Sequence, residues 1–394
     1  MSEPWGRSRG FRALALASAL CVARPSHAEQ DAVYPSANGA VEATPSRSVE
    51  ASGAQANDER EVSSGRQALA LGAAVVPGIL LHGSGSYVLG RTQTAKRLLL
   101  LQGVGLGLLA FGGGILVTTG AARDFVGPAA AMSAAGVGLF SVSWLGDLYS
   151  VTAPVDGWGR DPGWTPNLET ELGYRYVYDP SFPYRNFVVN AITARTGALR
   201  LTPSLWASPE NANERFRTEL AYRLRGPEPD QRSASGTFFD LEVAFTNHRY
   251  GQEGFALTTY EASLEGRWDL SDYDEHLRGA FVDFSLGAAS QIYSWEVVPD
   301  DSISSTLLLA GFGFGVYLGD RSPEGGFVRA YYDHRHDDYA AGTLATGLGS
   351  GVIGHFGLEG LYYLSEHWGV RAEAQLGSAL VVGASGLFRF GGDP

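Results

Sequence analysis

The sequence predicts an antiparallel transmembrane β-barrel of about twelve strands, with ten or fourteen as the neighbouring counts, preceded by a glycine-rich hydrophobic segment of two to three helices. Three observations carry this reading. From Tyr260 to Leu270 the chain alternates without a fault, Tyr260, Ala262, Leu264, Gly266, Trp268 and Leu270 falling on one face and Glu261, Ser263, Glu265, Arg267 and Asp269 on the other. The same dyad recurs, as in Thr218, Leu220, Tyr222 and Leu224 against Arg217, Glu219, Arg223 and Arg225, and in Phe239, Leu241, Val243 and Phe245 against Asp240, Glu242 and Thr246. Turn residues punctuate the series at intervals of roughly ten residues, the pattern of strands with lipid on one side and a polar lumen on the other.

Composition is neutral towards this fold and excludes others. Half of every barrel strand is polar, so an ordinary 44% hydrophobic content is compatible with a membrane protein. Fifty-two glycines and 11% aromatic residues suit close-packed strands and interfacial girdles. A net charge of -13 with no basic patch argues against a nucleic-acid partner. Lys96 is the one lysine, so the basic residues are almost all arginine, whose planar fork pairs well with carboxylates on neighbouring strands. Cys21 is the sole cysteine, so no disulfide is expected.

Taken in order, Arg7, Arg9 and Arg12 precede the apolar run Ala13 to Ala23, and Ser26-His27-Ala28 offers the small residues of a cleavage site, so residues 1–28 read as a secretory signal peptide. Residues 29–65, rich in Ala, Ser, Glu and Pro, read as a disordered linker. Residues 66–151 hold three uncharged stretches, Gln67 to Gly90, Leu98 to Ala122 and Phe125 to Gly146, each long enough to cross a bilayer as a helix but diluted by Gly and Ala. Small residues let such helices approach closely, which predicts a compact hairpin or three-helix cluster. Within it, Gly85 to Thr92 differs from a phosphate-binding loop in having Arg91 where lysine belongs. The residues before it read as helix, not the required strand, so it is taken as a helix connection. Residues 152–166 form a Pro/Gly/Trp linker, and 167–391 the barrel. Its strands are expected at 167–179, 186–194, 198–206, 214–225, 236–248, 255–270, 278–294, 303–319, 326–336, 350–364, 369–377 and 380–391.

On this register the lumen receives Glu169, Glu171, Arg175, Arg200, Arg217, Glu219, Arg223, Asp240, Glu242, Glu261, Glu265, Arg267, Asp283, Arg329, Asp333, Glu359, Arg371, Glu373 and Arg389. Acids and bases interleave, and a barrel of this size is narrow enough for them to meet, which points to a charge-filled, constricted interior. Leu220, Leu241, Val243, Tyr260, Leu264, Trp268, Phe284 and Leu358 are expected to face lipid, with Tyr260 and Trp268 marking the two aromatic girdles. His334, His336 and Asp338 share a strand face in the run Asp333 to Tyr339, which makes them weak metal-ligand candidates beside a solvated strand end. No cofactor is expected. His355 with Glu359, and Asp283 with Ser285, supply parts of a hydrolytic site, but no nucleophile elbow accompanies them and no catalytic residue is assigned.

From Leu168 to Phe390 the chain resembles a Gram-negative outer-membrane β-barrel protein, most visibly in LYYLSEHWGVRAEAQLG, a hairpin with Trp368 at its turn, and in the final strand ASGLFRF. The resemblance implies outer-membrane lipid, the secretion machinery and the barrel-assembly machinery as partners. In that class the last strand usually ends at an aromatic residue that the assembly machinery recognises; here Phe390 is followed by Gly391-Gly392-Asp393-Pro394. The roles it leaves open are a small-solute channel or structural envelope component, a lipid-modifying barrel enzyme, and a periplasmic β-domain tethered by inner-membrane helices.

Overall fold

The structure, a computed structural model, describes residues 63–390 except 155, 162–165, 179–184, 229–235, 252–253, 295–302, 320–323, 335–342, 345–351 and 378. The expected signal peptide and all but the last residues of the expected linker lie outside the described residues. Helix begins at Ser64, so the end of that linker segment is helical.

Twelve antiparallel strands close into one barrel. They are β1 (Leu168–Tyr178), β2 (Asn186–Thr196), β3 (Leu199–Ala207), β4 (Glu214–Arg225), β5 (Phe238–Arg249), β6 (Ala256–Asp269), β7 (Ala280–Ser294), β8 (Ile303–Leu318), β9 (Gly325–Asp333), β10 (His355–Tyr363), β11 (Trp368–Leu376) and β12 (Leu380–Phe390). Each pairs with its sequence neighbours, and β1 pairs with β12 from Leu168↔Phe390 to Tyr178↔Leu380, so no strand edge is left open. A short ribbon, Thr343–Leu344 with Val352–Ile353, lies in the connection between β9 and β10 and was not expected from the sequence. A bulge between Arg223 and Arg225 shifts the register of β4 against β5.

The exterior is apolar. Leu220, Leu241, Val243, Tyr260, Leu264, Trp268 and Leu358 are all exposed on the outer face. Phe284 shares their side of the wall but lies flat across Gly266, where a Cβ would come within 2.3 Å of its ring, and packs on Phe239 at 5.5 Å. Tyr222, Trp268, Trp368 and Phe390 collect at the end of the barrel that holds both strand termini, and Phe216, Tyr260 and Phe356 lie towards the other. Such a face would be unstable in water and is stable in hydrocarbon.

Ahead of the barrel run α1 (Ser64–Val75), a single 3-10 turn at Pro77–Ile79, α2 (Ser84–Val88), α3 (Thr92–Thr119) and α4 (Arg123–Thr152). The stretch from Gln67 to Gly90 is therefore two short helices broken at Pro77-Gly78, where proline cannot continue a helix. The segment resembling a phosphate-binding loop is α2 and its exit turn, and among the described residues helix, not strand, precedes it. Asp147 of α4 accepts the Gly85 and Ser86 N–H groups at 3.0 and 2.9 Å, so these amides hold a carboxylate of the chain itself.

The helices are tied to the barrel at the β6–β7 turn. Asp274, almost fully buried, accepts from Thr94 Oγ1 at 2.9 Å and from Arg97 at 3.0 Å, and Tyr149 donates to the Arg278 carbonyl at 2.5 Å. Burial disfavours the Asp274 carboxylate, but hydrogen bonds from the His276 N–H, Thr94, the His276 ring and Arg97 outweigh it and hold the group below its ordinary range. Its contribution is thus present at neutral pH and lost as acid protonates the carboxylate.

The outward face generates a direct test of register. Leu264→Arg near the bilayer midplane should cost about 2–4 kcal/mol of folding free energy in lipid. Reversible denaturant unfolding in lipid vesicles measures it. A cost near zero would place this face in water.

Candidate functional site

Most charged residues of the strands converge in the interior of the barrel, and strand alternation puts them there. One run of ion pairs crosses much of the wall. Arg267 on β6 grips Asp283 on β7 at 2.7 and 3.1 Å. Asp283 also accepts from Arg329 on β9 at 2.8 Å, Arg329 donates to Glu359 on β10 at 2.6 Å, and Arg371 on β11 donates to the other oxygen of Glu359 at 2.9 Å. Arg371 then reaches Glu171 on β1 at 2.8 Å. Strand β8, between Asp283 and Arg329, contributes the glycines Gly311, Gly313 and Gly315. At Gly315 a Cβ would lie 2.1 Å from the Phe281 ring, so glycine there makes room for inward bulk from the neighbouring strand.

A second group sits on β3 to β6. Arg217 holds Glu261 with two parallel bonds of 2.7 and 2.9 Å and Glu219 at 2.6 Å, Arg200 donates to Glu242 at 3.1 Å, and Arg223 grips Asp240. A third joins β1, β9 and β11, where Arg175 pairs with Glu373 at 3.0 Å and Tyr331 donates to the same carboxylate. At the terminal end, Glu169 accepts from Tyr363 at 2.7 Å and lies 3.6 Å from Arg389. Forked, charge-assisted bonds of this kind fix side chains firmly, and here the partners are on different strands.

The structure thus brings most of the expected inward residues into mutual contact. Glu265 and Asp333 line the same interior space. Residues not singled out from the sequence take part as well. Arg195 lies 3.9 Å from Glu169 one position beyond the expected end of its strand, and Arg215 stacks over Trp206 at 4.7 Å on the same strand face as Arg217. Tyr331 and Gln375 also face inward, beside His355, which the sequence had already drawn out. The alternation that flagged Arg217 includes Arg215, so that signal was present.

The interior is not polar along its whole length, contrary to the expectation. At the end away from the strand termini Val177, Phe187, Val189, Trp206, Tyr250, Leu257 and Val381 form a buried apolar cluster with Phe255 and Tyr293 against it. Towards the terminal end Phe281 and Tyr317 pack at 4.6 Å, and Arg267 lies over the Phe281 ring at 3.8 Å. Side chains of a narrow barrel meet across it, so apolar pairs are favoured wherever water is already squeezed out. A cavity of about 500 Å³ remains among the charged residues.

Of the weak metal candidates, His336 and Asp338 lie outside the described residues, and the His334 ring sits 2.9 Å from the Tyr332 hydroxyl. No cluster of three metal-ligating side chains occurs among the described residues. Both oxygens of Glu359 accept from arginines, one from Arg329 and one from Arg371.

A closed antiparallel barrel with an apolar outer belt and paired charges within is the architecture of outer-membrane barrels. The chain has the closed-barrel fold found in outer-membrane proteins. No family model and no curated protein matches it. Among solved structures it is similar to the outer membrane protein Omp33 of Acinetobacter baumannii, at 9% identity over 58% of this chain and 100% of that one, with a TM-score of 0.32. It is also similar to the KdgM porin, at 11% identity over 56% of this chain and 99% of that one (TM-score 0.33), and to the NanC porin, at 10% over 57% and 100% (TM-score 0.32). Likenesses this distant add nothing to the closed strand pairing, and no function is carried across from them.

The ion-pair chain predicts a sharp mutational response. Glu359→Ala takes one partner from each of two half-buried guanidinium groups, which keep Asp283 and Glu171, and should cost on the order of 1–3 kcal/mol, the usual loss for bonds to charged groups. Glu359→Gln, which keeps an acceptor, should cost less. Denaturant midpoints of the three proteins in lipid check this, and equal midpoints would remove the pairing from the account.

Proposed function

We propose that this protein is an outer-membrane barrel whose interior is constricted by ion pairs, acting as a structural envelope component with at most a narrow path for small solutes. The observation that supports this best is the chain Arg267–Asp283–Arg329–Glu359–Arg371–Glu171, in which every charge meets an opposite charge on another strand. Charges so engaged are not free to line a wide water column. The apolar cluster around Phe187 and Trp206 at one end of the barrel narrows the route further. Balanced pairing also leaves no strong field of one sign, so a marked preference for cations or for anions is not expected.

Reconstitution into planar bilayers tests the proposal. The wild-type protein should give small conductance steps or none, and the double variant Arg329→Ala/Glu359→Ala, which removes the centre of the chain, should increase them. Large, stable steps of the size given by open porins, from the unmodified protein, would overturn the constricted interior.

A further inference from the structure

The long helices do not stand apart from the barrel. Gly138 of α4 sits directly on Phe312 of β8, so close that a Cβ there would lie 3.0 Å from the ring, and Tyr149 meets Phe314 edge-on at 6.3 Å. Leu98, Tyr149, Leu277 and Ala280 form a buried cluster with Val282, Phe314 and Val316. Phe312, Phe314 and Val316 alternate with the inward glycines of β8, so they belong to the outer wall. Phe312 pairs with Phe284, two positions along β8 from Ala310, which pairs with Leu286 and through it with Leu264. The helices therefore dock at the height of the lipid-facing belt.

Their other sides are uncovered. Only 17% and 22% of the most apolar stretches of α3 and α4 are buried, far from what the core helix of a water-soluble domain shows. Leu99, Leu100, Val104, Leu106, Phe111 and Val117 of α3 are exposed. Neither helix carries a charge from Leu98 to Ala122 or from Phe125 to Gly146. At 1.5 Å per residue each such run extends for roughly 30 Å or more, enough to cross the hydrocarbon of a bilayer.

Polar groups are turned inward, as a helix in lipid requires. Asp147 is fully buried and takes the Ser86 hydroxyl at 2.7 Å beside the two amides already described, and the His82 ring meets the Ser143 hydroxyl at 2.6 Å. Gln102 accepts the His82 N–H at 3.0 Å and donates to the Leu80 carbonyl at 2.8 Å. The two helices themselves pack through small residues. A Cβ at Gly105 would lie 2.8 Å from the Gly136 carbonyl oxygen, and one at Gly112 would lie 2.6 Å from the Ala129 carbonyl oxygen.

We propose that α3 and α4 form a helical hairpin that crosses the same membrane as the barrel, docked on the outer wall at β7 and β8, with its remaining apolar face against lipid acyl chains. The inference rests on the membrane-barrel reading and extends the barrel's lipid belt across the hairpin. The Gly and Ala content that weakens insertion of a lone helix leaves the barrel wall to supply the missing contacts.

Cysteine labelling of the full chain in outer-membrane vesicles tests this, with Cys21→Ser as background. Single cysteines at Leu100, Val104, Phe111 and Val117 are compared with Leu264→Cys in the barrel belt and Glu366→Cys in the β10–β11 turn. The hairpin positions should react with a lipid-soluble maleimide and resist a membrane-impermeant one as strongly as Leu264→Cys does, while Glu366→Cys, once the vesicles are permeabilised, reacts with both. Ready aqueous labelling of the hairpin with Leu264→Cys still protected would place the helices outside the bilayer and overturn the proposal. Protection from both reagents until denaturation would mean that protein, not lipid, covers the face, and would overturn it too. Aqueous labelling at Leu264→Cys itself would instead overturn the membrane barrel.

Discussion

The pairing of β1 with β12 is the constraint on which the rest depends. In hydrocarbon no water is present to satisfy a free strand edge, so a sheet can span a membrane only if its last strand returns to its first. Here that seam runs the full length of both strands, from Leu168↔Phe390 to Tyr178↔Leu380. Once it is closed, side-chain alternation assigns each residue to lipid or to the interior without further choice. A slip of one residue would turn Leu264 inward and Arg267 into lipid, which is why the register is so strongly specified.

Closure at twelve strands also sets the chemistry of the interior. The inward charges pair across strands, and arginine serves because one guanidinium can meet two carboxylates at once, as Arg329 does with Asp283 and Glu359. The glycines of β8 fit the same logic, since Gly313 would place a Cβ 3.1 Å from that of Tyr331 and Gly315 would clash with Phe281. Bulk on β7 and β9 is accommodated by its absence on β8. On the outer side of that strand Phe312 and Phe314 carry the helices, so β8 is thin within and covered without.

Much of the barrel was legible in the sequence because a period of two survives along each strand and glycine, proline and aspartate interrupt it. The expected strand limits fall close to the observed ones, β4 at 214–225 in both. The inward set was legible for the same reason. What could not be read locally are contacts between distant parts. Nothing in GVGLF around Gly138 announces that it rests on Phe312, and helix-length apolar stretches look alike whether they lie in lipid or against a wall. The apolar end of the interior was signalled, though weakly, by places where alternation fails, Val188-Val189 and Val381-Val382 each giving an apolar residue to both faces. The expectation of a polar lumen overrode that signal.

The claim beneath all of this is that β1 and β12 meet in the stated register. Cysteines at Tyr174 and Ala384, which are direct partners on the outer face, should form an intramolecular disulfide on mild oxidation in a chain whose Cys21 is replaced by serine. The oxidised monomer should then run differently on a denaturing gel until it is reduced. Cysteines at Tyr174 and Ser385, one register position away and on opposite faces, should not cross-link. Failure of the first pair in the folded protein, or equal cross-linking of the second, would contradict the closed barrel.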